Sequence, residues 1–213
     1  VHSGDPNHKG AGILCILSQR FCRQDDIRWK VAVPGRLVHI QVRQDRRNID
    51  LVGCYQHTQA STTARLHERA KWWHQLDSLL HELAARNILI LTGDYNCNLL
   101  TAASHSGPSC DRWQGQMTHG AQHQDAGHFT AILRMHGLTA LNSWTPSLGP
   151  TFVQQDHHSR IDYVITRKQV ADGSAKDAVY AWDAPFCTDV QHGHAPILVN
   201  LRKQWYMPKA QVT

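Results

Sequence analysis

Apolar residues along this chain fall first into a two-residue period, then into a helical one, then back again. Gly10 to Ser18 (GAGILCILS) reads as a glycine-flexed entry into a buried strand. Arg36 to Val42 alternates, with Val38, Ile40 and Val42 on one face and His39 and Gln41 on the other. The polar run from Gln44 to Asn48 predicts a turn, and Ile49 to Tyr55 (IDLVGCY) its return strand, so the two form a hairpin. From Ala64 to Ala85 the spacing changes. Leu66, Ala70, Trp73, Leu76, Leu80 and Leu83 recur three or four apart, the stripe of an amphipathic helix, with Ser61 to Thr63 as N-cap candidates. Trp72 and Trp73 are read as packing residues of this helix rather than as base-stacking groups. The helix delivers the chain to Ile88–Leu91, an apolar strand buried on both faces, in a right-handed strand–helix–strand unit.

The second half is less regular. Thr101 to Gln124 is long, polar and rich in Gly, Ser and His, with Trp113 and Met117 as its isolated large apolar residues. A run of that kind predicts a mobile, substrate-contacting loop. Ala126 to Gly137 predicts a short helix with Phe129, Ile132, Leu133 and His136 on one side and Gly137 as its stop. Strands follow at Ser159–Ile165, Asp177–Trp182 and Ile197–Leu201, the first with an acid embedded in it. Neither a repeat nor a linker divides the 213 residues, so residues 1–213 read as a single domain. Strands outnumber helices, which predicts an α+β or layered α/β fold.

Composition changes this picture little. Hydrophobic residues at 41% and charged residues at 18% are those of an ordinary globular protein. No apolar run approaches the roughly 20 residues that cross a bilayer, so no membrane partner is expected. The net charge of +5 favours a polyanionic partner, and 16 His make the chain more cationic near pH 6. Six Cys show no C-x-x-C pair and no zinc-finger spacing, which suits a reduced, intracellular compartment. The opening VHSGDPNHKG has neither an initiator Met nor an apolar signal region and reads as a cut in a longer chain.

Candidate chemistry begins where the Ile88 strand runs out. Gly93 puts Asp94 and Asn96 beyond it, and a carboxylate and an amide two apart on extended backbone can face one ligand. The pair suits hydrolysis: Asp takes a proton from water, and Asn holds the water or a phosphate oxygen. The alternative is an Asx-turn in which Asp94 bonds its own backbone.

Three strings follow one another in order: G-D-Y-N (Gly93–Asn96), S-R-I-D-Y (Ser159–Tyr163) and G-H-A-P-I (Gly193–Ile197). With the strands between them, the chain resembles the endonuclease/exonuclease/phosphatase family, and within it the endonuclease domains of non-LTR retrotransposons. The resemblance runs from about Gly10 to Leu201. It implies a four-layer α/β (α+β) sandwich, two mixed β-sheets face to face and flanked by helices, with the first strands lying before Val1. It also implies roles. Asp94 would be the general base, Asn96 would hold water and phosphate, and His194 would donate to a phosphate oxygen. Asp162 would pair with His194, Tyr55 would line the site, and Arg160 and Asn98 would contact substrate.

The chain departs from the family pattern in several places. The family's early Glu metal ligand and first-strand Asn would lie before Val1. Gly193 stands where the family has an Asp of the metal side, and His57 stands where it has a Pro. Asp189 is a nearby substitute ligand by sequence alone. The implied magnesium, or manganese, would therefore be held weakly if at all. Three readings stay open: a DNA endonuclease domain of a retrotransposon-derived protein, with DNA as partner and a nuclear location; a phosphoesterase acting on an inositol phosphate or phospholipid head group; and a catalytically inactive domain that binds nucleic acid.

Overall fold

A computed structural model of the chain describes residues 1–4, 12–45, 47–59, 61–113, 121–154, 157–171, 176–181 and 193–201. Its elements in chain order are β1 (His2–Gly4), β2 (Gly12–Leu14), β3 (Ile27–Val33), β4 (Leu37–Val42), β5 (Ile49–Tyr55), α1 (Thr63–Glu82) and β6 (Ile88–Asp94). After these come α2 (Ala121–Met135), β7 (Leu138–Ala140), β8 (Phe152–Gln154), β9 (His157–Ser159), β10 (Asp162–Arg167), β11 (Val179–Tyr180), β12 (Gly193–His194) and β13 (Ile197–Leu198).

The organising layer is a mixed six-stranded sheet in the order β3-β4-β5-β6-β10-β7. The β4–β5 hairpin pairs antiparallel in the register the alternation requires, Ile40 opposite Leu51 and Val42 opposite Ile49. β6 runs parallel to β5 after the α1 crossover and antiparallel to β10 on its other side. One face of the sheet packs on both helices through Leu37, Val52, Leu89, Leu91, Trp72, Leu76, Phe129 and Leu133. Tyr95 sits at the centre of this core, stacked on Phe129 at 4.5 Å and edge-on to Trp72 at 6.1 Å. Each such ring pair contributes about 0.5–1.5 kcal/mol beyond its burial. The opposite face carries Val38, Ile40, Val42, Ile49 and Ile88, with Ile13, Cys15 and Leu17 of the N-terminal segment against them.

Several expectations are corrected. The buried stripe of α1 is Arg69, Trp72, Trp73, Leu76, Leu79 and Leu80, whereas Leu66 is 38% exposed. The stripe is turned because the paired tryptophans, with their larger apolar surface, take the core side. β3 is absent from the pattern reading although Ile27, Trp29, Val31 and Val33 alternate; it is a sheet-edge strand with Trp29 54% exposed. Beside the six-stranded sheet, the described residues form three small sheets, β1-β2, β11-β13 and β12-β8-β9. The segment after Asn98 is not a free loop as far as residue 113. Ser106 and Ser109 are buried, the Gly107 N–H donates to Ser143 Oγ at 2.8 Å, and a 3-10 turn spans Pro108–Trp113. Residues 114–120, with Met117, lie outside the described residues. α2 begins at Ala121, before the predicted Ala126, and ends at Met135, two residues before Gly137, whose φ is +62°. No helix among the described residues is long and apolar enough to cross a membrane.

Candidate active site

Strand register alone brings three of the expected residues into a row. Tyr55 is the parallel partner of Asp94, and Asp162 is its antiparallel partner, so all three stand side by side at one end of the sheet. Gly93 makes this possible. Its φ is +146°, and a Cβ there would run into the Cys54 carbonyl of β5. Only glycine lets β6 pass that close to its neighbour and still deliver Asp94.

His194 comes to the row from β12, which pairs with β8 among the described residues. Its Nδ1 lies 2.9 Å from Asp162 Oδ2 and 3.0 Å from Oδ1, and its Nε2 lies 3.8 Å from Asp94 Oδ2. The Phe152 ring backs it at 4.9 Å. The hydrogen bond to Asp162 raises the His194 pKa against the opposing effect of burial, so the imidazolium form is favoured. The 3.8 Å gap leaves the Nε2 N–H outside hydrogen-bond range of Asp94 and available to another acceptor.

Asp94 is the more perturbed acid. Burial, then the Asp162 carboxylate, push it up to about 7, against the lowering pull of the Asn96 N–H, His194 and Arg69. Both readings of its local geometry are realised at once. Asp94 Oδ1 accepts from the Asn96 backbone N–H at 2.7 Å, an Asx-turn, while the same carboxylate faces His194. Asn96 itself has φ +44°, a left-handed conformation that Asn tolerates.

The remaining expectations fare differently. Asn96 does not offer its amide hydrogens outward: Nδ2 donates to Gln56 O at 2.9 Å and to Asp94 Oδ2 at 3.1 Å. These bonds hold the Asp94 carboxylate against the turn. Arg160 is not a surface or phosphate-facing group. It is 1% exposed, and its guanidinium donates to the Leu148, Gly149 and Asn142 carbonyls and to Ser109 Oγ. A cation ringed by carbonyl dipoles in the interior is a folding element. Asn98 is buried at 6% and presents little surface to a substrate. Tyr55 is half-buried, with the Arg36 guanidinium over its ring at 4.6 Å. Asp189 lies outside the described residues.

Two residues that pattern reading missed support the site. Arg69, 1% exposed in α1, donates to the His57 and Asn96 carbonyls and pairs with Asp125 of α2. It ties the Asp94–Asn96 turn to both helices. His57 Nδ1 accepts from Arg65 Nη1 at 2.9 Å, and burial with the nearby Arg36 pushes its pKa down to about 4, so it is neutral near pH 7.

Asp94, Asp162 and His194 each offer a ligand atom within 4.8 Å of the others, a grouping that could hold a metal ion. As a magnesium site the trio fits poorly. Magnesium takes oxygen ligands and water in a near-ideal octahedron, whereas here an imidazole stands between the two carboxylates and engages both oxygens of Asp162. Beside the trio is a cleft of about 160 Å³ lined by Thr92, Gly93, Asp162, Tyr163, Val164, Ala195 and Ile197. Its walls take in Asp162 but neither Asp94 nor Asn96, so the two do not open together onto this cleft.

Gly193 has φ +127°, a conformation L-residues rarely adopt, although a Cβ there would meet nothing within 4 Å. An Asp at this position therefore has room but not a relaxed backbone.

No family model matches the chain. A segment of 88 residues, 41% of the chain, is 30% identical to the Transposon TX1 uncharacterized 149 kDa protein of Xenopus laevis, of which it spans 6%. Among solved structures, the chain is similar to the 3′ phosphatase NExo from Neisseria bound to product DNA hairpin, with TM-score 0.56 and 17% identity over 78% of this chain and 65% of that one. It is also similar to the endonuclease domain of TRAS1, a telomere-specific non-LTR retrotransposon, with TM-score 0.51 and 16% identity over 84% of this chain and 70% of that one. The chain thus spans less than two thirds of the length of the transposon protein and of the Neisseria enzyme. With its six-stranded mixed sheet and the strand-end row of Tyr55, Asp94 and Asp162, the chain has the endonuclease/exonuclease/phosphatase fold.

Proposed function

We propose that this chain hydrolyses phosphodiester bonds in DNA, as the endonuclease domain of a retrotransposon-derived protein. The observation that carries the reading is one imidazole, His194, held at Nδ1 by the Asp162 carboxylate with Nε2 left pointing past Asp94. Such a group is a preorganised cation with a free N–H, suited to a non-bridging phosphate oxygen as charge develops on it. Asp94, brought to about 7, is a base matched to neutral pH: strong enough to take a proton from water, yet ionised in a large fraction of molecules. Asn96 and Arg69 hold that carboxylate and its turn in place. The net charge of +5 favours a polyanion over a neutral substrate.

The trio of Asp94, Asp162 and His194 fits magnesium poorly, so cleavage by this chain responds little to magnesium. Losing one preorganised charge stabiliser lowers rates by about 10²–10³. The test is nicking of supercoiled plasmid by the chain and by Asp94→Ala, with and without magnesium, beside hydrolysis of a soluble inositol phosphate. Asp94-dependent nicking exceeding inositol phosphate hydrolysis is expected. Nicking that survives Asp94→Ala, or a preference for the inositol phosphate, overturns the assignment.

A further inference from the structure

Away from the Asp94 row, two histidines and a carboxylate meet where α1 and α2 end. Asp77 and His81 are one turn apart on α1 and project from the same face. His136 follows the last residue of α2, where Gly137 turns the chain. His136 Nε2 lies 2.7 Å from Asp77 Oδ1, and His81 Nε2 lies 3.7 Å from the same oxygen. The two imidazole rings are 4.7 Å apart and inclined at 66°. One ligand atom from each residue falls within 4.8 Å of the other two.

We propose that Asp77, His81 and His136 form a binding site for a divalent transition ion of the zinc class. A tetrahedral zinc ion with bonds near 2.0–2.1 Å separates its donors by about 3.4 Å. The two measured separations straddle that value, so small side-chain rotations bring the donors onto one ion. Two imidazoles and one carboxylate are a donor set for zinc, whereas magnesium prefers oxygen alone. Burial grades the ligands. The His136 side chain is 9% exposed, Asp77 27% and His81 62%, which gives a fixed pair and one arm that closes from solvent. The hydrogen bond between His136 and Asp77 accounts for two members of the cluster; His81 brings a second ring nitrogen to the same oxygen.

The site has a structural purpose. Arg69 and Asp125 pin α1 to α2 near their N-terminal ends. An ion held by Asp77, His81 and His136 pins the same two helices near their C-terminal ends. The core between them includes Trp73 and Phe129, 5.0 Å apart, beneath the turn that carries Asp94.

The experiment is a thermal unfolding titration of chelator-treated protein with zinc, repeated with magnesium, on the parent chain, His81→Ala, His136→Gln and His194→Ala. His81 is largely exposed, so His81→Ala without zinc serves as a folding control. At a hundred times Kd, zinc raises the midpoint of the parent by about 5–10 °C. The apparent zinc affinity falls at least tenfold in His81→Ala and His136→Gln, stays unchanged in His194→Ala, and magnesium gives no shift. Cobalt(II) bound in place of zinc shows the visible absorption of a tetrahedral complex in the parent and loses it in His81→Ala. No zinc shift in the parent, a shift that survives His81→Ala, or one abolished only by His194→Ala overturns the proposal.

Discussion

Asp94 and Asp162 are register partners on antiparallel strands, and the imidazole of His194 lies against both, 2.9 Å from one carboxylate and 3.8 Å from the other. Burial raises the Asp94 carboxyl first, its side chain being 12% exposed, and the Asp162 carboxylate raises it further.

That shift sets a stability profile. Asp94 has a folded-state pKa of about 7 against an ordinary unfolded value, so between these limits the native state binds more protons than the unfolded one. Its contribution to stability therefore falls as pH rises from about 4 to 7. Asp94→Asn removes that slope. Relative to the parent, the variant gains about 1–3 kcal/mol between pH 5 and pH 8. Urea unfolding at the two pH values measures it, and an unchanged difference between the proteins contradicts the assigned shift.

Activity follows the opposite limb first. Cleavage rises as Asp94 ionises near pH 7 and falls again as the imidazolium of His194 loses its proton above its raised pKa, which makes a bell. Asp162→Asn removes the hydrogen bond that raises His194 and moves the alkaline limb to lower pH, with a rate loss of about 10²–10⁴. A pH–rate profile with an unmoved alkaline limb assigns that limb elsewhere.

The proposed function predicts electrostatic binding to duplex DNA. The logarithm of the association constant falls linearly with the logarithm of salt concentration, with a slope near −0.9 for each phosphate neutralised. Fluorescence anisotropy from low to moderate salt reads this slope directly; a flat line contradicts a role for the +5 charge.

Arg160→Met separates folding from recognition. The substitution leaves the Leu148, Gly149 and Asn142 carbonyls without their donor and destabilises the fold by about 2–4 kcal/mol. The folded fraction binds DNA as the parent does. Weaker binding with unchanged stability returns Arg160 to the substrate.

Glycines give the sharpest contrast. Gly93→Ala drives a methyl group into the Cys54 carbonyl and costs about 3–5 kcal/mol. Gly193→Asp meets open space and costs only the strain of φ +127°, about 1–2 kcal/mol. Circular dichroism melts of both rank them.

The meeting of Asp94, Asp162 and His194 is legible in the sequence because each stands at a strand end marked by its neighbours: Ile88–Leu91 before Asp94, Val164-Ile165 after Asp162, and Ile197-Leu198 after His194. Periodicity also found β4, β5 and α1. What it missed had a charge where the pattern wants an apolar group. Arg69 lies on the buried stripe of α1, and Arg160 lies buried in the link between β9 and β10; local spacing says nothing of the carbonyls that meet them. β3 alternates in sequence, yet its apolar residues Trp29 and Val31 are exposed at the sheet edge and belong to no core face. The anchoring of Ser106 to Ser109 depends on Ser143, more than thirty residues away.

The two halves of the site come from different sheets. Asp94 and Asp162 are joined through five register pairs of β6 and β10 in the middle of the main sheet, while His194 comes from β12, which pairs with β8 in another sheet. The separation of the two carboxylates is therefore set by strand register inside one sheet, whereas the reach of the imidazole to Asp162 is set by how one sheet packs against another. A substitution that shifts that packing lengthens the His194–Asp162 contact and leaves the acid pair where it is.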